Sequence, residues 1–343
     1  MNEIADRLAD AGVRKPMEEV GRVYVTEYDE DIPIIKVDQE NEAIEGQQPL
    51  KDILSTVILP GLMQIRKRHL DRSTETYRRM TAPNSARRHF GKAITTLPAR
   101  SAMRAIQIVT GTFPSRMRLK LWQKSESGLC PFCKTTEETT AHFSQACPQF
   151  REARTAAHDR VWGTTWTALK ECLPSGWEAI HDTRMRDTPL LVDQEYSNMR
   201  PDGLLLNKQL GVIVIVETAR CTGFSGADTV ERRRKKEAKY DQLAQNITRW
   251  NTGEYNKGAR VCALIYTFTG ALDEQHWKTE LQYVLTANSD TNDPNHEKYV
   301  AKATVQVDRI IGATVTAALE AFDMMADTRL AASRTLRQGQ GTT

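Results

Sequence analysis

The spacing of apolar and polar positions changes along the chain, and the change divides it. From about residue 190 onward the short runs "GLLLN", "GVIVIVET" and "RVCALIYTF" read as buried strands bounded by turn-forming or charged residues. A four-residue loop from Lys208 to Gly211 joins the first two as a hairpin that pairs Asn207 with Val212, Leu205 with Val214 and Gly203 with Val216. The second strand is apolar on both faces, which puts it in the middle of its sheet. "GADTVERRRKKEAKYDQLAQNITRW" reads as a long helix and "DEQHWKTELQYVL" as another. In the last helix Val307, Ile311, Val315, Ala318, Phe322 and Met325 fall on one stripe. Residues 151–171 are also helical, with Trp162, Trp166 and Leu169 on one face. Residues 151–330 thus form a module of mixed α+β or α/β class.

The N-terminal half follows another pattern. Residues 61–127 read as short basic helices, among them "GLMQIRKRHLDRSTETYRRM", "ARSAMRAIQIVTG" stopped by Gly111, and "FPSRMRLKLWQK" started at Pro114. Residues 1–60 are polar and acidic and predict a weakly structured segment; the tail, residues 331–343, predicts disorder.

Charge sharpens this division. The 343 residues carry a net charge of only +3. Residues 1–60, however, hold 14 acidic and 6 basic side chains, and residues 61–128 hold 15 basic and 3 acidic ones. That asymmetry points to a polyanionic partner for the basic part. No apolar stretch approaches the length of a membrane span, and the charged N-terminus lacks a signal-peptide core, so the expectation is a soluble, intracellular chain with no membrane partner.

Three of the six cysteines cluster. "LCPFCKTTEETTAHFSQACP", within residues 128–150, gives Cys130, Cys133, His142 and Cys147 in the spacing C-x2-C-x8-H-x4-C. Two thiolates of a Cys-x-x-Cys turn reach one ion, and a histidine and a third cysteine close a tetrahedron, which predicts a structural zinc with no open coordination position. A segment this short buries little core, so the metal is expected to supply most of its folding energy. The flanking Arg116, Arg118, Lys120 and Lys124 favour nucleic acid as the surface it meets.

The hairpin carries the second chemical feature. Extending its register outward sets Asp202 opposite Glu217. Like charges on neighbouring strands repel, and a divalent cation such as Mg²⁺ between them removes the penalty. On the following helix, Arg232, Lys239, Tyr240, Leu243 and Ile247 lie within about 60° of Lys236. This puts Lys236 and Lys239 on the inward face, while Arg233, Arg234 and Lys235 fan outward toward phosphates. Two carboxylates and a lysine at one strand end suit phosphodiester hydrolysis. Glu195 stands as an auxiliary acid or a solvated surface residue; His158, His181 and His276 read as structural.

The motifs, in this order, resemble a known family. "RAIQIVTGTFPSRMRLKLW", "CPFCKTTEETTAHFSQACPQFREAR", "RPDG", "GVIVIVET" and "KEAKY" are similar to the C-terminal region of site-specific non-LTR retrotransposon proteins. There a reverse transcriptase is followed by a basic linker, a CCHC zinc knuckle and a restriction-like endonuclease. The resemblance covers roughly residues 80–270 and implies a restriction-endonuclease-like, PD-(D/E)XK domain. Asp202 and Glu217 then correspond to the metal-binding carboxylates, Lys236 and Lys239 to the lysines displaced onto the helix, and Arg200 to the basic residue before the PD pair. The implied activity is nicking of target DNA in the nucleus, which exposes a 3′-OH that primes reverse transcription of element RNA. The chain departs from the family in two places: Ala219 stands where an E-x-K lysine is usual, and Glu217 where Asp is usual. No YADD-like polymerase loop occurs, so a reverse transcriptase is expected in trans or as a region lost from the chain, which reads as a fragment, a truncated element or a stand-alone protein. The rival readings are a catalytically inactive remnant that binds nucleic acid through knuckle and linker, and an assembly protein that holds element RNA.

Overall fold

The computed structural model describes residues 23–29, 32–37, 86–110, 112–221, 226–287 and 293–340. The helix expected at 61–80 lies outside them, as does most of the acidic segment 1–60. Within that segment, expected to be weakly structured, strands β1 (Val23–Asp29) and β2 (Ile32–Val37) pair as an antiparallel hairpin with a register shift between Val25 and Glu27. Both runs are dense in β-branched and aromatic residues, which favour strands.

The basic linker forms helices α1 (Ala86–Thr96), α2 (Ala99–Thr110) and α3 (Arg116–Leu121). Helix α3 starts two residues later than the proline signal implies: the Ser115 hydroxyl caps it, accepting from the Arg118 amide at 3.4 Å. The Cys/His segment leads into α4 (Arg151–Cys172). Strands β3 (Glu178–His181), β4 (Gly203–Asn207) and β5 (Val212–Cys221) follow, then α5 (Gly226–Trp250), β6 (Gly258–Thr267), α6 (Glu274–Thr286) and α7 (His296–Gln340).

The mixed sheet runs β3-β4-β5-β6, antiparallel except for the β5–β6 pair, which α5 connects in parallel. The β4–β5 register is the one read from the sequence, Gly203 with Val216 through Asn207 with Val212. Gly211 takes φ +67° in the turn, where an added Cβ would meet Asn256 Oδ1 at 2.1 Å. One sheet face carries Leu205, Val214, Val216, Cys262, Leu264 and Tyr266 in a core shared with α4 and α7. The other carries Leu204, Leu206, Ile213 and Ile215 against Tyr240, Leu243 and Ile247 of α5. The molecule is therefore of mixed α and β class, with a four-stranded mixed sheet between helices.

All six stripe residues of α7 are buried. The helix continues to Gln340, through residues 331–340 where disorder was expected; "LAASRTLRQ" is rich in the strong helix formers Ala, Leu, Arg and Gln. Helix α6 closes the outer edge of β6: Trp277 Nε1 donates to the Ile265 carbonyl at 3.0 Å, and His276 Nε2 lies 3.0 Å from that of Ala263. His276 is thus structural, as expected.

Candidate functional site

The Cys/His cluster is assembled by tight local backbone. Cys130 N–H donates to the Thr136 carbonyl at 2.8 Å and Lys134 N–H to that of Cys130 at 2.9 Å, with Lys134 in the left-handed region at φ 59°. His142 opens a single π-helical turn, His142–Ala146, closed by the Cys147 amide on the His142 carbonyl at 2.7 Å. The ligand atoms of Cys130, Cys133, His142 and Cys147 all lie within 4.8 Å of one another, the one such group of three or more among the described residues. Tetrahedral zinc with Zn–S of about 2.3 Å and Zn–N of about 2.0 Å sets S···S edges near 3.8 Å and S···N edges near 3.5 Å. The Cys130–Cys147 sulfurs are 3.8 Å apart and Cys133 Sγ lies 3.4 Å from His142 Nε2. The group can hold a metal ion and is compatible with a structural zinc. The Thr136 hydroxyl sits 3.2 Å from His142 Nδ1, so the other ring nitrogen faces the sulfurs. Burial pushes the Cys130 thiol up to about 12, whereas hydrogen bonds from Thr135 pull half-buried Cys133 down to about 5.

The segment does bury a core, contrary to expectation. Cys130, Phe143, Cys147 and Phe150 belong to the same apolar cluster as α1, α2, α4 and α7, and Phe113, Phe143 and Phe322 pack ring against ring at 5.2–5.6 Å. Glu138, wholly buried, pairs with Arg329 of α7 at 2.5 Å and accepts from the Arg116 amide at 2.8 Å. Its separation from Arg329 in sequence hides this pair from local reading.

At the sheet end, the chain brings Asp202 and Glu217 together. The Asp202 amide donates to Glu217 Oε2 at 3.3 Å. Asp202 Oδ2 accepts from the Thr218 amide at 2.7 Å and from its hydroxyl at 2.8 Å, and no described residue donates to Oδ1. The Glu217 side chain is 3% exposed, and Lys236 of α5 forms an ion pair with its Oε1. Lys239, by contrast, is exposed: its amine bonds Tyr240 Oη at 3.0 Å and stacks over that ring. Burial, then the charge of Glu217, pushes the Tyr240 phenol above its ordinary range.

Other expected residues go elsewhere. Arg232 is exposed, although its phase placed it inward. Arg233 is half-buried against Glu237 at 3.6 Å and Asp273 at 3.5 Å, the second anchoring it to the start of α6 and turning it from the solvent-facing row. Arg200 pairs with Asp182 and donates to its carbonyl at 3.0 Å, so its charge is neutralised within the chain. Arg234, Lys120 and Lys124 are exposed, while Arg116 and Arg118 are half-buried, Arg116 donating to Ser125 at 3.3 Å. Glu195 is exposed on a 3-10 turn. In the linker, Arg104 is buried against Asp323 and Asp327 of α7, so part of the positive charge there serves packing.

Three residues at this end were not singled out from the sequence as part of it. His158 Nε2 lies 3.4 Å from the Thr218 hydroxyl and 3.9 Å from Asp202 Oδ2. Trp162 Nε1 donates to the Asp202 carbonyl at 3.0 Å. Thr218 directly follows Glu217 and holds Asp202. The signal was the four-residue spacing of His158 and Trp162, which aims both at one strand end. His181, by contrast, stacks on Trp162 and Trp166 at 5.8 and 5.5 Å. No protein-family model matches the chain, and no curated protein sequence matches it.

Proposed function

We propose that the chain is a Mg²⁺-dependent DNA endonuclease with a restriction-like fold, the nicking part of a non-LTR retrotransposon protein. The observation that carries this reading is the meeting of Asp202, just before β4, with Glu217, inside β5, and of Lys236 with the buried carboxylate. Asp202 Oδ1 and Glu217 would hold the ion, which when bound polarises a phosphoryl oxygen and lowers the pKa of a water. Lys236 supplies positive charge beside the phosphoryl group, and exposed Lys239 and Arg234 meet the flanking phosphates. The Cys/His cluster, with zinc, and the exposed Lys120 and Lys124 extend the nucleic-acid surface. Acting on chromosomal DNA and element RNA, such a protein works in the nucleus with a reverse transcriptase in trans. The test is nicking of supercoiled plasmid in Mg²⁺: the native chain nicks and Asp202→Ala does not. Equal nicking by both refutes the assignment.

A second reading is favoured by one observation. Glu217 is already neutralised by Lys236, and Asp202 Oδ2 already accepts two hydrogen bonds, so this end of the sheet is nearly satisfied without an ion. That suits a binding protein without turnover. Salt-dependent RNA binding that survives Glu217→Ala but not Cys133→Ser, with no nicking, selects it.

A further inference from the structure

Helix α4 links the two features described so far. It begins four residues after Cys147, and its side chains at Arg154, His158 and Trp162, spaced four apart, lie along one face. Arg154 donates to the Cys147 carbonyl. One turn on, His158 touches the Thr218 hydroxyl, which together with the Thr218 amide holds Asp202 Oδ2. A further turn on, Trp162 holds the Asp202 carbonyl. The contact returns along β5: Arg220, on the same sheet face as Thr218, donates to the Ser144 carbonyl at 2.9 Å, inside the π-helical turn between His142 and Cys147.

Neither Arg154 nor Arg220 forms an ion pair with a carboxylate among the described residues. Burial pulls both guanidinium groups below their ordinary range, and the charge of Arg154 adds to the lowering at Arg220. Two partly buried cations held by carbonyls, with only the Met325 sulfur at 3.5 Å from Arg220 besides, are a costly way to pack a protein. Their contacts have one thing in common, since each fastens backbone of the Cys/His loop to an element that holds Asp202.

We infer that the Cys/His loop is a clamp for the carboxylate end, its closed form fixing Asp202 through the Arg154–His158–Trp162 stripe and through Arg220. The catalytic consequence rests on the nuclease reading; the mechanical link does not. Arg154, His158, Thr218 and Arg220 are positioning residues, acting on Asp202 through backbone and hydroxyl.

The test uses the full chain carrying Thr218→Val, Thr218→Ser and Arg220→Met. Zinc content, thermal melting, hydrogen exchange across residues 212–221 and the Mg²⁺ half-saturation of plasmid nicking are measured for each. Thr218→Val and Arg220→Met are expected to keep one zinc per chain, to speed exchange at residue 218, and to weaken the Mg²⁺ half-saturation by about 10–100-fold, as loss of an outer-shell partner does. Thr218→Ser, which keeps the hydroxyl, restores both values. Stripping the zinc from the native chain speeds the same exchange. If Arg220→Met loses zinc or melts early, Thr218→Val, which touches no part of the loop, and native-chain zinc removal carry the test. Unchanged exchange at residue 218 after zinc removal overturns the clamp, even where Asp202→Ala abolishes nicking and the nuclease reading stands. Faster exchange at residue 218 on zinc removal, with no nicking by the native chain, leaves the clamp standing and removes the nuclease.

Discussion

Replacing Lys236 by Met examines the sheet end without presuming catalysis. Lys236 is the ion-pair partner of Glu217, whose side chain is 3% exposed. The substitution keeps the apolar stem and removes the charge, leaving a buried carboxylate held only by neutral donors, the Asp202 amide at 3.3 Å and the Tyr240 hydroxyl. Removing one member of a buried pair costs about 3–5 kcal/mol, because the other charge stays desolvated. For a folded unit of this size that lowers the melting temperature by about 6–20 °C. Adding Glu217→Gln removes the stranded charge, so the double variant recovers most of the loss. If the two acids hold a divalent ion, Mg²⁺ at about 100 times its dissociation constant returns about 2.7 kcal/mol to Lys236→Met and nothing to the double variant. Urea titrations of the native chain, both single variants and the double variant, with and without Mg²⁺, read all of these terms. A loss below about 1 kcal/mol for Lys236→Met would refute the burial argument, and absence of Mg²⁺ rescue would refute the ion site.

Four further outcomes follow from the same geometry. Arg329→Met strands the wholly buried Glu138 and lowers stability by about 3–5 kcal/mol in urea melts, whereas Arg160→Met, whose pair with Glu320 is exposed, changes it by less than about 1 kcal/mol. Gly203→Ala drives a methyl to 2.5 Å from the Trp166 ring and is expected to cost about 1–3 kcal/mol while displacing the neighbouring Asp202, read as slower nicking and a lower melting temperature. If zinc occupies the cluster, elemental analysis is expected to find one per purified chain, and its removal to expose Phe143 and Phe150, seen as increased binding of a hydrophobic dye. Tyr240 and Tyr266 are held neutral, chiefly by burial, so they do not ionise in the native protein near pH 10, where unfolded tyrosines do. The stability this represents is complete below pH 10 and is lost as pH rises beyond it; in the absorbance near 295 nm, the share of these two among the nine tyrosines appears only together with unfolding.

Local patterns carried the reading where they were strong. The hairpin register followed from one four-residue turn between two continuous apolar runs, and α5 was bounded correctly by its own sequence. The Cys/His loop was legible because its four ligands lie within 18 residues. Contacts between distant segments were not legible. Arg104 finds Asp323 and Asp327 more than two hundred positions away, and Glu138 finds Arg329 across nearly as many. No periodicity records such pairs. His158 was read as solitary because a histidine's partner on another strand is invisible until the sheet is assembled. Arg233 has the phase of a solvent-facing residue and is drawn aside by the cap of α6.

The placing of His276 and Trp277 over β6 has a consequence for how copies of this chain can meet. A foreign strand laid along β6 would need the carbonyls of Ala263 and Ile265, and both are already taken by rings from α6. Growth of the sheet past that edge requires breaking two side-chain bonds and lifting a fully buried indole, so along β6 the ladder ends where the fold ends it.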